Sequence, residues 1–304
     1  MNKITIVSAF FNINRANWEG FGRNKEQYFQ YFTQWGKIEN DLVVYVEDKI
    51  LKERIELLRK DVLSKTTVIL IEDIKKIDFL LYKSIENITS NQIHRRFRTK
   101  PNNPEVWNAD YDYVMLMKMW CVNHAVEHGY VSGMVAWVDF GYLHGEVNLL
   151  EKAGGNFSWD YEFPEKINIF SVQPLDSKPI FDIVKNMDTY IMGTILVAPD
   201  NKWNYFWNEM RNNMIALNRC GLVDDDQTVI LMCYRNNPEE FYIHESRWNL
   251  PVIQYSSIGN GKLENEKIKK VFCLKLIAKK MKETIANLKY SFEVFKDLQK
   301  LNRK

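Results

Sequence analysis

The sequence lacks any long hydrophobic run and any clustering of cysteines. No stretch of about 18 or more consecutive apolar residues occurs, so no transmembrane helix is predicted. The absence of a Cys-x-x-Cys spacing argues against a zinc site, since the four cysteines lie far apart at Cys121, Cys220, Cys233 and Cys273. The first residues do not show the pattern of a signal peptide, so we expect these thiols to be reduced in the cytoplasm.

A strong overall charge is also missing, and the net charge of +2 conceals an uneven distribution. Residues 267–304 contain 12 Lys plus Arg against 3 Asp plus Glu, a local charge of +9, which leaves −7 for residues 1–266. The acidic body is a poor fit to nucleic acid, whereas the basic tail fits an anionic membrane surface. We therefore expect a cytoplasmic protein, with peripheral contact at the inner membrane as one option for the tail.

Apolar residues in this tail recur at helical spacing. They are separated by four, three, four and three positions, at Met281, Ile285, Leu288, Phe292 and Phe295. This spacing predicts an amphipathic helix. Packing on the body, pairing with a second subunit and lying on a membrane are three uses of such a helix that the pattern leaves open.

The body of the chain reads as an α/β protein. Its 46% hydrophobic and 26% charged residues are typical of a globular chain. Apolar, β-branched runs at residues 4–11, 42–46 and 67–71 alternate with helical patterns at 24–35 and 49–63. This alternation predicts a Rossmann-like sheet. Later patterns predict helices at 111–127 and 202–217, and strands at 167–172, 189–198 and 241–244.

The most informative stretch is Met-Val-Ala-Trp-Val-Asp-Phe-Gly-Tyr at residues 134–142. It predicts a buried strand that ends at Asp139 and breaks at Gly141. A carboxylate at the carboxyl end of a strand in an open α/β sheet lies where such folds bind ligands. The alternative is a local role for Asp139 in a turn through Gly141. The Asp-Phe-Gly tripeptide does not indicate a kinase, because no Gly-rich loop or His-Arg-Asp motif accompanies it.

Three further features are candidates for a site. Gly193 in the middle of a predicted strand suggests close approach of a ligand or of a second backbone. Three consecutive acids precede an apolar helical run, and a local reading makes Asp224 the N-cap and Gln227 the partner of a capping box. That reading does not require all three acids. The third feature is a basic cluster made of His94, Arg95, Arg96, Arg98 and Lys100. These side chains could face a phosphate-bearing ligand or be solvated.

Taken in this order, the motifs resemble nucleotide-sugar-dependent glycosyltransferases of the GT-A type and, more narrowly, the HtrL/YibB-like family of bacterial glycosyltransferase-like proteins. The similar stretches are Ser-Ala-Phe-Phe-Asn-Ile-Asn-Arg at residues 8–15, Arg23 with Tyr28, Asn-Pro-Glu at 103–105 with Lys118, and Trp-Val-Asp-Phe-Gly-Tyr at 137–142. The resemblance implies a GT-A-like mixed sheet flanked by helices. It assigns residues 1–262 to the transferase domain and leaves residues 263–304 as a basic helical tail.

The resemblance also implies a donor site. Phe11, Asn12 and Arg15 would contact the nucleoside, and Arg23 or Lys118 the diphosphate. Asp139, with Gly141 beside it, would hold a divalent metal, Mn²⁺ or Mg²⁺, together with the diphosphate of a UDP-sugar. His244 would be a second metal ligand. The usual motif is Asp-x-Asp, whereas this chain has one carboxylate, in Asp-Phe-Gly. The requirement for metal therefore stays open.

By the same resemblance, Asp225 or Asp226 would be the base that removes the proton of the acceptor hydroxyl in an inverting transfer. The expected function is transfer of a sugar to a bacterial cell-surface glycan, such as a lipopolysaccharide or lipooligosaccharide. Two alternatives remain: a non-catalytic protein that binds nucleotide sugars or glycans on the same scaffold, and a scaffold that recruits partners to the membrane through its basic tail.

Overall fold

In this computed structural model, the described residues are 3–144 and 148–257, together with single positions between Lys270 and Phe292. They contain one seven-stranded sheet. Its strands are β1 (Thr5–Phe10), β2 (Leu42–Val46), β3 (Thr66–Leu70), β4 (Met134–Val138), β5 (Ile167–Ser171), β6 (Ile191–Pro199) and β7 (Phe241–Glu245).

The order of the strands is β3-β2-β1-β4-β6-β5-β7. Strands β3, β2, β1 and β4 run parallel to one another, β6 is antiparallel to both of its neighbours, and β7 is parallel to β5. The first half is the predicted Rossmann-like β-α-β-α-β unit. The whole sheet confirms the prediction of a mixed sheet flanked by helices.

Helices cover both faces of the sheet. Within the described residues they are α1 (Lys25–Thr33), α2 (Lys49–Leu58), α3 (Phe79–Thr89), α4 (Gln92–Phe97), α5 (Pro104–Trp107), α6 (Ala109–Glu127), α7 (Leu149–Lys152), α8 (Ile180–Asn186), α9 (Asp200–Arg219), α10 (Asp226–Asn236) and α11 (Pro251–Gln254). Short 3₁₀ turns occur at Arg15–Asn17, Ile74–Lys76 and Pro238–Glu240.

Each face of the sheet has its own hydrophobic core, which explains why strands β2 and β4 are apolar at every position. In β2, Val43 and Tyr45 pack into the core beneath α6 and α9, whereas Val44 and Val46 pack into the opposite core with Trp35. Successive side chains of a strand point to opposite faces, so a strand covered on both sides has no polar face. All five residues of β4, Met134–Val138, are apolar for the same reason.

Some predicted boundaries differ from the structure. Helix α2 ends at Leu58 instead of residue 63, because Arg59 turns into the interior and donates to the carbonyls of Ile38 and Asn40. Burial lowers the pKa of Arg59 to about 10. The sequence patterns did not predict the short helix α7 that follows β4.

Most of the predicted tail, residues 263–304, lies outside the described residues. The single described positions between Lys270 and Phe292 are helical and exposed. Among the described residues, no helix combines the length and the apolar composition needed to cross a bilayer.

Candidate functional site

A cavity of about 550 Å³ opens at the carboxyl ends of β1 and β4. Because these strands are parallel neighbours, with Val7 opposite Trp137, the loop after β1 and Asp139 after β4 meet at one edge of the sheet. We call this space the large cavity. All the residues expected to bind the donor line it, namely Phe11, Asn12, Arg15, Arg23, Lys118, Asp139 and Gly141.

Asp139 uses its backbone and its side chain for different purposes. Its carbonyl accepts a hydrogen bond from the Tyr142 N–H, which closes the turn after β4. Its carboxylate takes no part in that turn: the Trp137 Nε1–H donates to Oδ1 at 2.7 Å, and Lys118 Nζ lies 3.0 Å from the same oxygen. The side chain therefore faces a cation inside the large cavity.

Lys118 is the buried cation at the centre of this arrangement. It projects from α6, and its Nζ lies 2.8 Å from Asp226 Oδ2 and 3.0 Å from the Gly193 carbonyl oxygen. Burial acts to lower the pKa of Lys118, but the charges of Asp139 and Asp226 outweigh it and raise the pKa overall. The ammonium group is therefore charged at neutral pH, and it joins β4, β6 and α10.

Gly193 makes room for Asp226. A Cβ atom on Gly193 would lie 2.5 Å from Asp226 Cγ, closer than real Cβ contacts come. A group does approach this glycine closely, but it is the Asp226 side chain and not the ligand or second backbone that the sequence suggested. Without this glycine, the Asp226 carboxylate would have no space at its present position beside Lys118.

The three consecutive acids have three different partners. Asp225 is the N-cap of α10 and accepts from the Gln227 N–H at 3.1 Å, so the expectation that Asp224 caps the helix was wrong. Asp224 accepts instead from Arg98 Nη2 at 2.6 Å and from Thr228 Oγ1 at 2.7 Å. Asp226 pairs with Lys118. Of the predicted basic cluster, Arg98 is thus a buried partner of Asp224.

A second, smaller cavity of about 210 Å³ adjoins the large one and shares four lining residues with it, Arg15, Phe21, Tyr111 and Gln227. We call it the small cavity. It is lined by acids from three parts of the chain: Glu105, Asp188, Asp224 and Asp225. Asp225 lines this cavity, whereas Asp226 lines the large one.

Several carboxyl groups in and near the two cavities hold their protons more strongly than free carboxyl groups do. Burial and the neighbouring charges of Asp226, Asp224 and Glu105 raise the pKa of Asp225 well above its usual range. Burial raises the pKa of Asp226 despite the opposing charge of Lys118. Asp112 on α6 is fully buried, and burial followed by the charges of Asp224 and Asp225 raises its pKa strongly. Neither carboxyl oxygen of Asp112 has a hydrogen-bond partner among the described residues.

Two guanidinium groups line the large cavity without a carboxylate ion-pair partner in the described part of the chain. Arg15 donates from Nε to the Phe21 carbonyl at 2.9 Å and from Nη1 to the Tyr28 hydroxyl at 3.0 Å. Arg23 Nη1 lies 3.3 Å from His144 Nε2. These contacts fix the guanidinium groups and leave their charges uncompensated by ion pairing, which favours an anionic ligand.

His244 lies elsewhere. The structure places it in β7, where its Nε2 is 2.9 Å from Asn168 Oδ1 and its ring stacks on Phe170. It lines neither cavity, and burial lowers its pKa to about 4. The expected pairing of His244 with Asp139 at a metal is therefore not found, because this ring is part of the core near Tyr255.

The residues at Asp139 do not fit a divalent metal in their present arrangement. Among the described residues, no group of three or more His, Cys, Asp and Glu side chains is placed to hold one. The two carboxylates that are near each other, those of Asp139 and Asp226, have the Lys118 ammonium between them. We therefore derive no chemical step from a metal.

Sequence reasoning missed several residues of the two cavities. Tyr111, Trp248 and Asn249 line the large cavity, and Glu105 lines the small one. Glu105 had a signal, because the Asn-Pro-Glu stretch was recognised without a role being given to its acid. Trp248 and Asn249 follow β7 and had none, since no local pattern connects them with β1 or β4.

Comparisons with known proteins agree on a bacterial family. Residues 2–253 match the family described as "Bacterial protein of unknown function (HtrL_YibB)". The chain is 31% identical over 264 residues to Protein HtrL of Escherichia coli (strain K12). This aligned region covers 80% of this chain and 89% of that protein.

Among solved structures, the apo form of mouse xyloside xylosyltransferase 1 is similar over 79% of this chain and 84% of its own, with a TM-score of 0.39 and 12% identity. No conclusion about this chain rests on that similarity. The match over residues 2–253 and the identity to Protein HtrL are sufficient: the chain belongs to the HtrL/YibB family of bacterial proteins.

Proposed function

We propose that this chain is a glycosyltransferase that transfers a sugar from a nucleotide-sugar donor, foremost a UDP-sugar, to a hydroxyl of a glycan. One observation carries the proposal: a large cavity with uncompensated guanidinium groups shares a wall with a small cavity that presents a carboxyl group of raised pKa. A transfer of this kind needs both an anion-binding site and a base beside it.

The donor belongs in the large cavity. Its volume of about 550 Å³ suits a nucleotide-sized ligand, because pockets for small molecules usually measure roughly 300–1,000 Å³. Arg15 and Arg23 would bind the diphosphate by charge-assisted hydrogen bonds. The Lys118 ammonium offsets the negative charges of Asp139 and Asp226 in the same cavity. Aromatic side chains in the same wall, Phe11 and Tyr111, offer surfaces for the base or the sugar.

The acceptor hydroxyl belongs at the junction with the small cavity, and Asp225 is our choice for the base. Its carboxylate would take the hydroxyl proton while the oxygen forms a bond to the anomeric carbon. The bond from that carbon to the diphosphate would break, and its electron pair would stay on the diphosphate oxygen beside Arg15 and Arg23. Asp226 is less suited to be the base, because Lys118 already holds its carboxyl group.

The donor assignment is tested by thermal unfolding of the full chain with a panel of nucleoside diphosphates and nucleotide sugars. A ligand that binds only the folded state raises the unfolding midpoint. We expect one nucleotide to raise it, and Arg15→Ala to weaken that binding by about tenfold or more, the equivalent of roughly 1.4 kcal/mol. Arg96→Ala removes an exposed guanidinium outside both cavities and is the control. An unchanged affinity in Arg15→Ala would contradict the assignment.

We also propose that the acceptor is a cell-surface glycan under construction at the inner membrane, and that the basic tail contacts the anionic surface. The observation behind this proposal is that apolar tail positions Leu274, Ile277, Met281, Ile285 and Leu288 are exposed within a segment of charge +9. Ile285→Glu with Leu288→Glu should reduce flotation of the full chain with anionic vesicles. Leu63→Glu, at an exposed position of the body, is the matched control. Equal flotation of all three proteins would exclude this role for the tail.

A further inference from the structure

We propose that the Lys118 ammonium is the built-in cation of this site and occupies the place between Asp139 and Asp226 where a divalent metal would otherwise bind. The inference concerns the same site as the proposed function and rests on it only for its catalytic consequence. The occupancy of the site by Lys118 is a separate claim, tested below without any nucleotide.

The geometry around Nζ resembles that of a small oxygen-lined cation site. Lys118 Nζ lies 3.0 and 3.3 Å from the two carboxyl oxygens of Asp139, 2.8 Å from Asp226 Oδ2 and 3.0 Å from the Gly193 carbonyl oxygen. Two carboxylates and a backbone carbonyl are the oxygen ligands that Mn²⁺ and Mg²⁺ prefer. They come from the end of β4, from β6 and from the start of α10, so three elements converge on one point.

Lys118 prevents a divalent ion from using these oxygens. The lysine side chain is nearly fully buried, so its ammonium group cannot swing out to solvent without breaking three contacts. An ion at the same place would meet a positive charge at close range in a poorly solvated environment. In addition, the Trp137 Nε1–H already donates to Asp139 Oδ1, which leaves this oxygen less able to coordinate.

This arrangement accounts for the single aspartate of the Asp-Phe-Gly stretch. Asp139 and the Gly193 carbonyl accept hydrogen bonds from the ammonium group, and Asp226 Oδ2 forms an ion pair with it at 2.8 Å. The direct contacts to a diphosphate then fall to Arg15 and Arg23, whereas Lys118 neutralises the carboxylates behind them. The consequence for the proposed function is that donor binding persists in a chelator.

The test uses Mn²⁺ alone and three full-length variants. Lys118→Ala removes the ammonium group and leaves space between the carboxylates. Lys118→Met removes the charge but fills the space with a neutral side chain. The double variant Lys118→Ala with Asp139→Asn removes one of the carboxylate ligands as well. Binding is followed by electron paramagnetic resonance of Mn²⁺ and by the thermal unfolding midpoint.

We expect the natural chain and Lys118→Met to bind no Mn²⁺ at this site, and Lys118→Ala to bind one ion. With Mn²⁺ about one-hundredfold above its dissociation constant, the midpoint of Lys118→Ala should rise by roughly 5 °C or more. The double variant should lose this rise.

Binding of Mn²⁺ by the natural chain that disappears in Asp139→Asn would overturn the proposal, and so would the absence of binding in folded Lys118→Ala. If Lys118→Ala does not fold in chelator, we expect it to fold when Mn²⁺ is added, and failure there also counts against the proposal. None of these readouts involves a nucleotide. Failure of the glycosyltransferase assignment would therefore appear separately, as missing nucleotide binding in the thermal panel.

Discussion

The large and the small cavity share a wall, yet they differ in their balance of charge. The large cavity is lined by three cations, Arg15, Arg23 and Lys118, and by two acids, Asp139 and Asp226, whereas the small one is lined by Arg15 and four acids, Glu105, Asp188, Asp224 and Asp225. The cations come from the loop after β1 and from α6, whereas most of the acids come from the beginnings of α5 and α10. Acids are favoured at helix N-termini, because unpaired N–H groups and the helix dipole stabilise negative charge.

The difference indicates how one edge of a sheet can hold two ligands of different chemistry. In the proposed reaction, a diphosphate would be drawn to the large cavity and repelled by the acids of the small one. A neutral hydroxyl would have no such preference and could lie beside a carboxylate. The difference in charge would then orient both reactants before any bond changes, and the residues that produce this difference are the points at which the proposal can be tested.

The largest expected effect is that of Asp225→Asn on turnover. The amide keeps the shape of the side chain and can still accept from the Gln227 N–H, but it cannot take a proton. We expect turnover to fall by about 10²–10⁴-fold, as is typical for loss of a general base. Nucleotide binding in the large cavity should be unchanged. Asp61→Asn is the control for loss of one exposed acid, and full turnover in Asp225→Asn would remove Asp225 from its role.

The second effect concerns Gly193 in the large cavity, beside Asp226. Gly193→Ala should displace the Asp226 carboxyl group and lower the free energy of unfolding by about 1–3 kcal/mol, since added atoms in a tightly packed site force rearrangement. In an Asp226→Ala background the carboxyl atoms nearest to this methyl group are gone, so its cost should fall to roughly 0.5 kcal/mol or less. Denaturant unfolding of the four proteins measures the coupling. Equal costs in both backgrounds would show that Gly193 does not serve to accommodate Asp226.

The third effect concerns Asp112, a buried acid of α6. Its folded-state pKa is raised by burial and by the charges of Asp224 and Asp225, so the folded protein favours the protonated form. The stability that this group contributes is fully present below its unfolded pKa and is lost as the pH rises through the folded pKa.

We therefore expect Asp112→Asn to be more stable than the natural chain at neutral pH, by about 1.4 kcal/mol for each pH unit between the unfolded pKa and the folded pKa, because the amide does not ionise when the protein unfolds. The advantage should shrink as the pH falls towards the unfolded pKa, roughly 4. Thermal unfolding across this range measures the difference, with Asp61→Asn as the control for an exposed acid. An advantage that does not change with pH would contradict a raised pKa at Asp112.

The sequence alone was sufficient to predict the features that depend on neighbouring strands. The runs that became β1 and β4 are apolar and end in polar residues. Asp139 was expected at a ligand site because it ends a strand of an open α/β sheet, and the resemblance placed Arg15 in the same site; both line one cavity. The resemblance to the HtrL/YibB family added Arg23 and Lys118, which no periodicity would have selected from a buried helix face.

Contacts between distant segments were not predictable in this way. Arg98 and Asp224 pair across 126 positions, and no local pattern connects a basic cluster near α4 with the acids before α10. The ion pair between Lys118 and Asp226 also joins segments that are far apart in the sequence, so no local pattern predicts it. His244 was expected at the site because of its chemistry, but the direction in which a strand residue points depends on register. In β7 that register turns it towards Phe170.

The measurement that tests the central claim most directly is release of nucleoside diphosphate from a panel of nucleotide sugars by the natural chain without acceptor. A transferase whose base and donor site adjoin, as proposed here, should slowly pass the sugar to water. We predict release from at least one nucleotide sugar that binds in the large cavity, and its loss in Asp225→Asn. Tight binding of a nucleotide sugar with no release above the uncatalysed rate would contradict the claim and support a non-catalytic binding protein.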